Sequence, residues 1–300
     1  MLRVHIPRPP RGSFLEELSA RLEGVRLVDA APYDVLVEGA PERALAAGCS
    51  AIVIPYAGVP GKTRKLAVEL DAALYNLHHN AAPTAEMAMA LLLAVAKRIV
   101  PYDRALRAGD WRPRYGETHN TLLFGKTAVV LGHGAIGRRV AAACEGFGME
   151  VLAVRRRDGA ALEELLPRAD ALMVCLPWTD ETEGLIGAAQ LALLPDGALL
   201  VNVARGPIVD EQALYDALRS GRIAAGLDVW YDYPKEPEDR AHQPPSSLPF
   251  HELKNVVMSP HHGGLTDGVE ALRAQHLAEL LNALARGEEP DSRVDLKRGY

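Results

Sequence analysis

The stretch from Thr127 to Phe147 limits the fold of this chain more tightly than any other. Thr127-Ala128-Val129-Val130-Leu131 is an apolar, β-branched run that reads as a strand, and Arg138 to Phe147 carries a helical pattern with Val140, Cys144 and Phe147 near one face. Between them lies Gly132-His133-Gly134-Ala135-Ile136-Gly137, a GxGxxG spacing. Glycine is common enough that the bare spacing says little. A strand before it and a helix after it are what give it meaning. In that setting Gly132 permits the tight turn, Gly134 lets the backbone come close to a pyrophosphate, and Gly137 lets the helix pack against the strand, with the helix N-terminus aimed at the phosphates. The turn, including His133, Ala135 and Ile136, is therefore expected to hold a dinucleotide.

The next strand, Glu150 to Val154, should end near the adenosine ribose, where an acid normally accepts hydrogen bonds from both hydroxyls. Arg155-Arg156-Arg157 stands there instead. Arginine cannot accept those bonds but can pair with a 2′-phosphate, so NADP is favoured, with NAD the other possibility. A solvated basic loop is the plain structural alternative, and Asp158 could still turn inward.

Short apolar runs alternate with helix-like stretches on both sides of the turn. Leu2 to Ile6, Val35 to Val37, Ala51 to Pro55 and Ala73 to Tyr75 precede it, with helical stretches at Phe14 to Leu22 and Pro41 to Ala47. Ala171 to Leu176, Ala198 to Val203 and Asn255 to Met258 follow it. This rhythm predicts parallel α/β sheets. One long helix is expected from about Thr84 to Leu106, apolar nearly all round from Ala85 to Ala96 and so buried between domains or subunits. The polar, turn-rich segment from Gly109 to Asn120 suggests a boundary. The expected division is a substrate domain of residues 1–98 plus 266–300 and a dinucleotide-binding domain of residues 99–265. The helix from about Asp267 to Arg286 returns to pack on the first domain.

Three hundred residues suffice for two such domains. A formal charge of -6 with mixed signs leaves no basic stripe for nucleic acid or an anionic membrane. No run approaches the length of a membrane span, and no signal peptide is apparent, so a soluble cytoplasmic protein is expected. Cys49, Cys144 and Cys175 are far apart in apolar surroundings and read as core thiols. The pairs His78-His79 and His261-His262 lack a carboxylate cluster, and neighbours on a strand point to opposite faces, so no metal site is expected.

Further motifs resemble the D-isomer-specific 2-hydroxyacid dehydrogenase family. Leu123-Phe124-Gly125-Lys126-Thr127 precedes the turn and Leu176-Pro177-Trp178-Thr179 follows it. Val201 to Asp210, Ala225-Gly226-Leu227-Asp228-Val229 and Ser259-Pro260-His261 then occur in that family's order and approximate spacing. The likeness runs from about Ser50 onward, with fainter matches at Ala85-Glu86 and Asp295 to Tyr300. Together with the alternating rhythm it implies an α/β chain of two doubly wound, Rossmann-like or flavodoxin-like domains with parallel sheets. It also implies an NAD(P)-dependent enzyme, similar to a glyoxylate/hydroxypyruvate reductase, that moves a hydride between the nicotinamide and C2 of a small 2-oxo or 2-hydroxy acid. A homodimer is implied as well, for which Trp111 would suit the interface.

The residues fit that chemistry. Arg205 offers a planar fork to grip a carboxylate, and His261 a proton-transfer group with a pKa near neutrality. By the resemblance, Asp228 lies near the nicotinamide carboxamide and Pro177 in the cofactor site. The loop Ala57-Gly58-Val59 and Asn80 are on the substrate side. One departure stands out: the family places a glutamate five residues after the aspartate, formate dehydrogenases a glutamine, and this chain has Tyr233. A phenol can orient the imidazole but stays neutral, so it raises the histidine's pKa less than a carboxylate would and shifts the working pH lower. Asp232, Glu236 or Glu238 could supply the missing charge. The competing reading is a cofactor-sensing binding protein with weak or lost catalysis, set against the retention of Arg205 and His261. Formate or phosphite dehydrogenase is the in-class alternative.

Overall fold

A computed structural model describes residues 1–154 and 162–300, so Arg155 to Arg157 and Asp158 lie outside the described residues. The chain forms two compact units, Met1–Ala81 with Leu265–Tyr300, and Ala82–Gly264.

The first unit runs β1 (Leu2–His5), α1 (Phe14–Ser19), β2 (Val25–Leu27), β3 (Val35–Val37), α2 (Arg43–Ala46), β4 (Ala51–Ile54), α3 (Gly61–Leu70) and β5 (Ala73–Asn76). Its sheet is parallel in the order β2-β1-β3-β4-β5. Side chains alternate between two apolar layers, as the two-residue repeat of a strand requires. Val4, Val35, Val37, Ala51 and Val53 enter one cluster, and Leu36, Ile52, Ile54 and Leu74 the other. With both faces covered, these strands carry continuous apolar runs, the usual state of a parallel sheet.

The second unit runs α4 (Ala81–Ala96), α5 (Ile99–Arg107), α6 (Arg112–Tyr115), β6 (Thr127–Leu131), α7 (Ala135–Gly146), β7 (Glu150–Val154), α8 (Leu162–Leu165), β8 (Ala171–Val174), α9 (Ala188–Leu193), β9 (Leu199–Asn202), α10 (Glu211–Arg219), β10 (Ala224–Leu227) and β11 (Val256–Met258). These strands are also all parallel, ordered β11-β10-β9-β8-β6-β7. Each sheet therefore reverses its winding once, between β1 and β3 in the first and between β6 and β8 in the second. Ligands of open α/β sheets bind at such a reversal, beyond the carboxyl ends of the strands. The last helix, α11 (Val269–Ala285), returns to the first unit as expected. Ala274, Leu277, Ala278 and Leu281 join Phe14 and Leu18 of α1 over one face of that unit's sheet.

Several elements differ from the expectation. The single helix from Thr84 to Leu106 is two, broken at Arg98, whose backbone is left-handed at φ 52°. Pro101 explains the break, since it has no N–H to give the carbonyl four residues back, at Lys97, and its ring would clash there. The units divide at residues 81/82 rather than 98/99, because Ala88, Leu91, Leu92 and Ala96 of α4 share one apolar cluster with Ala128, Val130, Val140 and Val201. Phe147 lies outside the apolar face of α7 and is 43% exposed, whereas Val140 and Cys144 are buried. Strand β10 was hidden because Ala-Ala-Gly-Leu has little strand propensity. Its glycine is required by packing, since a Cβ on Gly226 would sit 2.7 Å from the Cβ of Leu91. Among the described residues no helix is long and apolar enough to cross a membrane.

Candidate active site

The glycine turn lies at the reversal of the second sheet. Cys175, just past β8, donates its N–H to Leu131 O (2.8 Å), and Gly132 donates to Val154 O (3.1 Å), so the turn is tied to the chain leaving both neighbouring strands. Gly132 has φ 90°, and a Cβ there would meet Cys175 O at 2.9 Å. A Cβ on Gly137 would fall 1.8 Å from Gly132 O, so α7 can approach β6 only through a glycine. Gly134 differs from both. Its φ of -82° suits any residue and, among the described residues, nothing lies within 4 Å of an added Cβ. The protein's own packing makes no demand for glycine at 134. It leaves open space at the N-terminus of α7, whose N-cap glycine has no side chain to bond the first turn around Ala135 and Ile136. N–H groups at the positive end of a helix dipole, beside a cradle that a Cβ would fill, fit a pyrophosphate. His133 lies within the turn, and Pro177 on the chain leaving β8, its carbonyl accepting from Thr182 Oγ1 at 2.7 Å.

Three adjacent strands, β9, β10 and β11, deliver the remaining groups of this unit to the same edge. Arg205 comes three residues after β9, Asp228 immediately after β10, and His261 shortly after β11. Buried Asn202 shapes the Arg205 loop by donating to Arg205 O (3.0 Å) and accepting from Ala204 N (3.0 Å). Gly206 lets this loop press against the next, because a Cβ there would lie 2.2 Å from Trp230 O.

His261 is held from one side by Tyr233, whose Oη is 2.9 Å from Nδ1 and also accepts the Trp230 N–H at 3.1 Å. When the neutral ring carries its proton on Nε2, Tyr233 donates its hydroxyl proton to Nδ1; when it carries it on Nδ1, as after loss of Nε2–H, Nδ1–H donates to Oη. With the ring charged, Nδ1–H donates to Oη, and Nε2–H remains available on the other side. Burial pushes the His261 pKa down first and the Arg205 charge lowers it further, with Asp228 acting in the opposite direction. Asp232, Glu236 and Glu238, the candidates for the missing charge, make no hydrogen bond to the ring among the described residues; Asp228 is the acid that the imidazole senses. Burial also raises the Tyr233 phenol, which stays protonated and neutral near pH 7.

On the first unit, Ala57-Gly58-Val59 follows β4 and Asn80 follows the neighbouring β5, so both reach the carboxyl edge of that sheet. Asn76 Nδ2 donates to Ala57 O at 2.7 Å and fixes the loop. His79 is buried and accepts from Arg273 Nε at 3.2 Å; burial and then the Arg273 charge bring its pKa down to about 4. Asn202 and Trp230 were not singled out from the sequence, although Asn202 lies within a motif that was.

His261 is expected to titrate below the ordinary value near 6.5. Tyr233→Glu is expected to raise it by placing a carboxylate against Nδ1. An NMR titration of the imidazole in both proteins checks this, and an unchanged value in the variant would show that residue 233 does not govern the ring.

A model of the D-isomer specific 2-hydroxyacid dehydrogenase NAD binding domain matches residues 89–263. A glyoxylate reductase of Thermococcus litoralis is 34% identical over 310 residues, 96% of this chain and 87% of that protein. One of Korarchaeum cryptofilum is 38% identical over 229 residues, 71% of this chain and 65% of that protein, so this match spans less than two thirds of that relative. Among solved structures, a D-isomer specific 2-hydroxyacid dehydrogenase of Xanthobacter autotrophicus in complex with NADPH and MES superposes with a TM-score of 0.81 and 26% identity, over all of this chain and 99% of that one. The parallel-sheet fold thus has its counterpart among solved structures, and the chain belongs to the D-isomer specific 2-hydroxyacid dehydrogenase family.

Proposed function

We propose that this protein reduces a small 2-oxo acid, of the glyoxylate or hydroxypyruvate kind, to the 2-hydroxy acid with a nicotinamide cofactor. The observation that carries this reading is the convergence of Arg205, His261 and Tyr233 on the sheet edge that also bears the glycine turn. When bound, the dihydronicotinamide supplies the hydride. Arg205 grips the substrate carboxylate in two places and so orients C2. His261 gives the proton on Nε2 to the C2 oxygen, and Tyr233 holds Nδ1 throughout. The substrate carboxylate also offsets the Arg205 charge that lowers the His261 pKa, so binding favours the protonated ring that the reduction consumes. Ala57 to Val59 and Asn80 are assigned to the substrate side, and residues 1–98 with 266–300 remain the expected substrate domain apart from α4.

A screen of glyoxylate, hydroxypyruvate, pyruvate and bulkier 2-oxo acids, read as loss of reduced-cofactor absorbance, is expected to show turnover. Arg205→Gln should lower kcat/KM about 100-fold or more, and His261→Asn should lower kcat by about 100- to 10,000-fold. Because the proton comes from a ring whose pKa is depressed, reduction should fall away as pH rises through that low value. Dinucleotide binding without turnover of any of these acids would favour the cofactor-sensing reading instead.

NADP is the preferred cofactor on the strength of Arg155, Arg156 and Arg157, which follow β7 directly, and the Xanthobacter relative was solved with NADPH. Replacing all three with alanine is expected to raise KM for NADPH about 10- to 100-fold, the range for lost charged hydrogen bonds, with little change for NADH. Equal losses for both cofactors would remove the assignment.

The protein is further proposed to be a homodimer. Helix α5 buries none of its residues, yet it presents Ile99 and Leu106, both more than half exposed, and Trp111, Tyr115, Leu122 and Phe124 in the same unit are exposed from 61% to 81%. Exposed apolar side chains in such number mark a surface that another chain covers. Light scattering is expected to give twice the 32.4 kDa chain mass, and Trp111→Glu with Leu106→Glu the single-chain mass.

A further inference from the structure

Tyr233 stands at the base of a long surface loop. Residues 232–244 are exposed throughout, and among the described residues the backbone hydrogen bonds of 234–244 run within that stretch, as from Asp239 N to Glu236 O (3.1 Å) and from Gln243 N to Asp239 O (2.8 Å). The loop closes at Pro245, whose carbonyl accepts two N–H groups from the chain leaving β10, Tyr231 at 3.2 Å and Asp232 at 2.9 Å. Ser246 comes next and is 4% exposed. Its hydroxyl donates to Oε1 of Glu211, in the first turn of α10, at 2.5 Å and accepts the Leu248 N–H at 2.9 Å. Phe250 then packs its ring against Tyr215, Trp230 and Tyr231, with centroids 5.3, 5.9 and 6.4 Å away. Tyr231 is tied a second time, its hydroxyl donating to Val209 O at 2.9 Å. This is the form of an Ω-loop, a compact surface loop with its ends together. Tyr233 is the first residue beyond the closure, so the shape of the closure sets where its side chain begins.

We propose that Pro245, Ser246 and Glu211 form a clasp that positions Tyr233 against His261, and that Ser246 and Glu211 are positioning residues for proton transfer although neither hydrogen-bonds the imidazole. The proposal rests on the reductase reading above and on the part given there to Tyr233. Tyr233 Oη has two contacts to keep, Nδ1 of His261 and the N–H of Trp230. Both require the turn from Trp230 to Tyr233 to hold one shape, and the two N–H groups inside that turn are those that Pro245 O accepts. The direction of this carbonyl is fixed by the peptide that joins Pro245 to Ser246, so the anchor of Ser246 orients it. That anchor is of the strong kind, a buried hydroxyl donating to a carboxylate. Without the hydroxyl, the Glu211 carboxylate and the Leu248 N–H both lose a partner. Ser246 then shifts, and the displacement reaches Tyr233 through a single peptide plane. The charged groups that set the His261 environment, Arg205 and Asp228, lie outside the clasp and stay as they are.

The test compares Ser246→Ala, Glu211→Ala and Glu211→Gln in the whole protein, each alone and combined with Tyr233→Phe. It measures kcat at saturating NADPH, the Kd of NADPH by protein fluorescence, the His261 NMR titration and the thermal midpoint. Ser246→Ala and Glu211→Ala are expected to lower kcat about 10-fold, the scale of a slight misplacement of a reacting group, while Kd changes less than about 2-fold. The His261 titration should rise toward its ordinary value, because water reaches the ring once Tyr233 has moved and burial is the main cause of its depression. Glu211→Gln keeps an oxygen for the Ser246 hydroxyl and should restore both kcat and titration. In the Tyr233→Phe background, Ser246→Ala should lower kcat by no more than about a further 2-fold, since the hydroxyl that the clasp aims is gone. Glu211→Ala leaves the Ser246 hydroxyl in the chain and decides the matter if Ser246→Ala does not fold. Equal losses of kcat with and without the Tyr233 hydroxyl overturn the clasp, as does a lowered thermal midpoint with wild-type kcat and titration. If the wild-type protein turns over no 2-oxo acid, it is the reductase reading that fails. The His261 titration in Ser246→Ala then still decides the clasp, because it needs no activity.

Discussion

The parallel alignment of β9, β10 and β11 is the constraint on which the candidate site depends. In a parallel sheet every strand exits at the same edge, and strands lie ~4.8 Å apart, so loops from neighbouring strands meet whatever their separation in sequence. Arg205, Asp228 and His261 are brought together in this way across more than fifty residues. The register that puts them there is held by the burial of both faces: shifting any strand by one residue would exchange its two apolar layers. The same edge, at the reversal between β6 and β8, carries the glycine turn. A single architectural fact therefore places the cofactor turn beside the groups assigned to proton transfer and carboxylate binding.

Within that frame the electrostatics are unusual for a histidine meant to give up a proton. Burial and the Arg205 charge both oppose protonation, and the position next to Nδ1 holds a neutral phenol. Among the described residues the acid that favours the charged ring is Asp228, whose oxygens accept three donors of the adjoining loop. Tyrosine serves in place of a carboxylate because its hydroxyl can donate to Nδ1 when that atom is bare and accept from it when it is protonated. The Trp230 N–H keeps the phenol oxygen in place in both states. The geometry is retained while the bias toward protonation is left to the substrate carboxylate.

Much of this was legible in the chain. The glycine turn is written in three local requirements, and the structure separates them: Gly132 and Gly137 are demanded by contacts with Cys175 and with the turn's own carbonyl, whereas Gly134 answers to no neighbour among the described residues. The α/β rhythm followed from apolar periodicity. Elements without such periodicity were missed. Strand β10 is made of small residues and exists because β9 and β11 flank it and Leu91 presses on Gly226. The break at Arg98 was signalled by Pro101, but the helix-like pattern that continues on both sides of it concealed it.

Sequence by itself determined the family motifs, the dinucleotide turn, the identity of Arg205 and His261, and the replacement at Tyr233. Each of these is carried by a residue type or a short spacing. Tertiary structure alone decided that Tyr233 does touch the imidazole, that Asp232, Glu236 and Glu238 do not, and that Asp228 is engaged by Ser259, His262 and Gly263. Those are contacts between loops from different strands. Their distances depend on how the parallel sheet is packed, and no local pattern of residues encodes them.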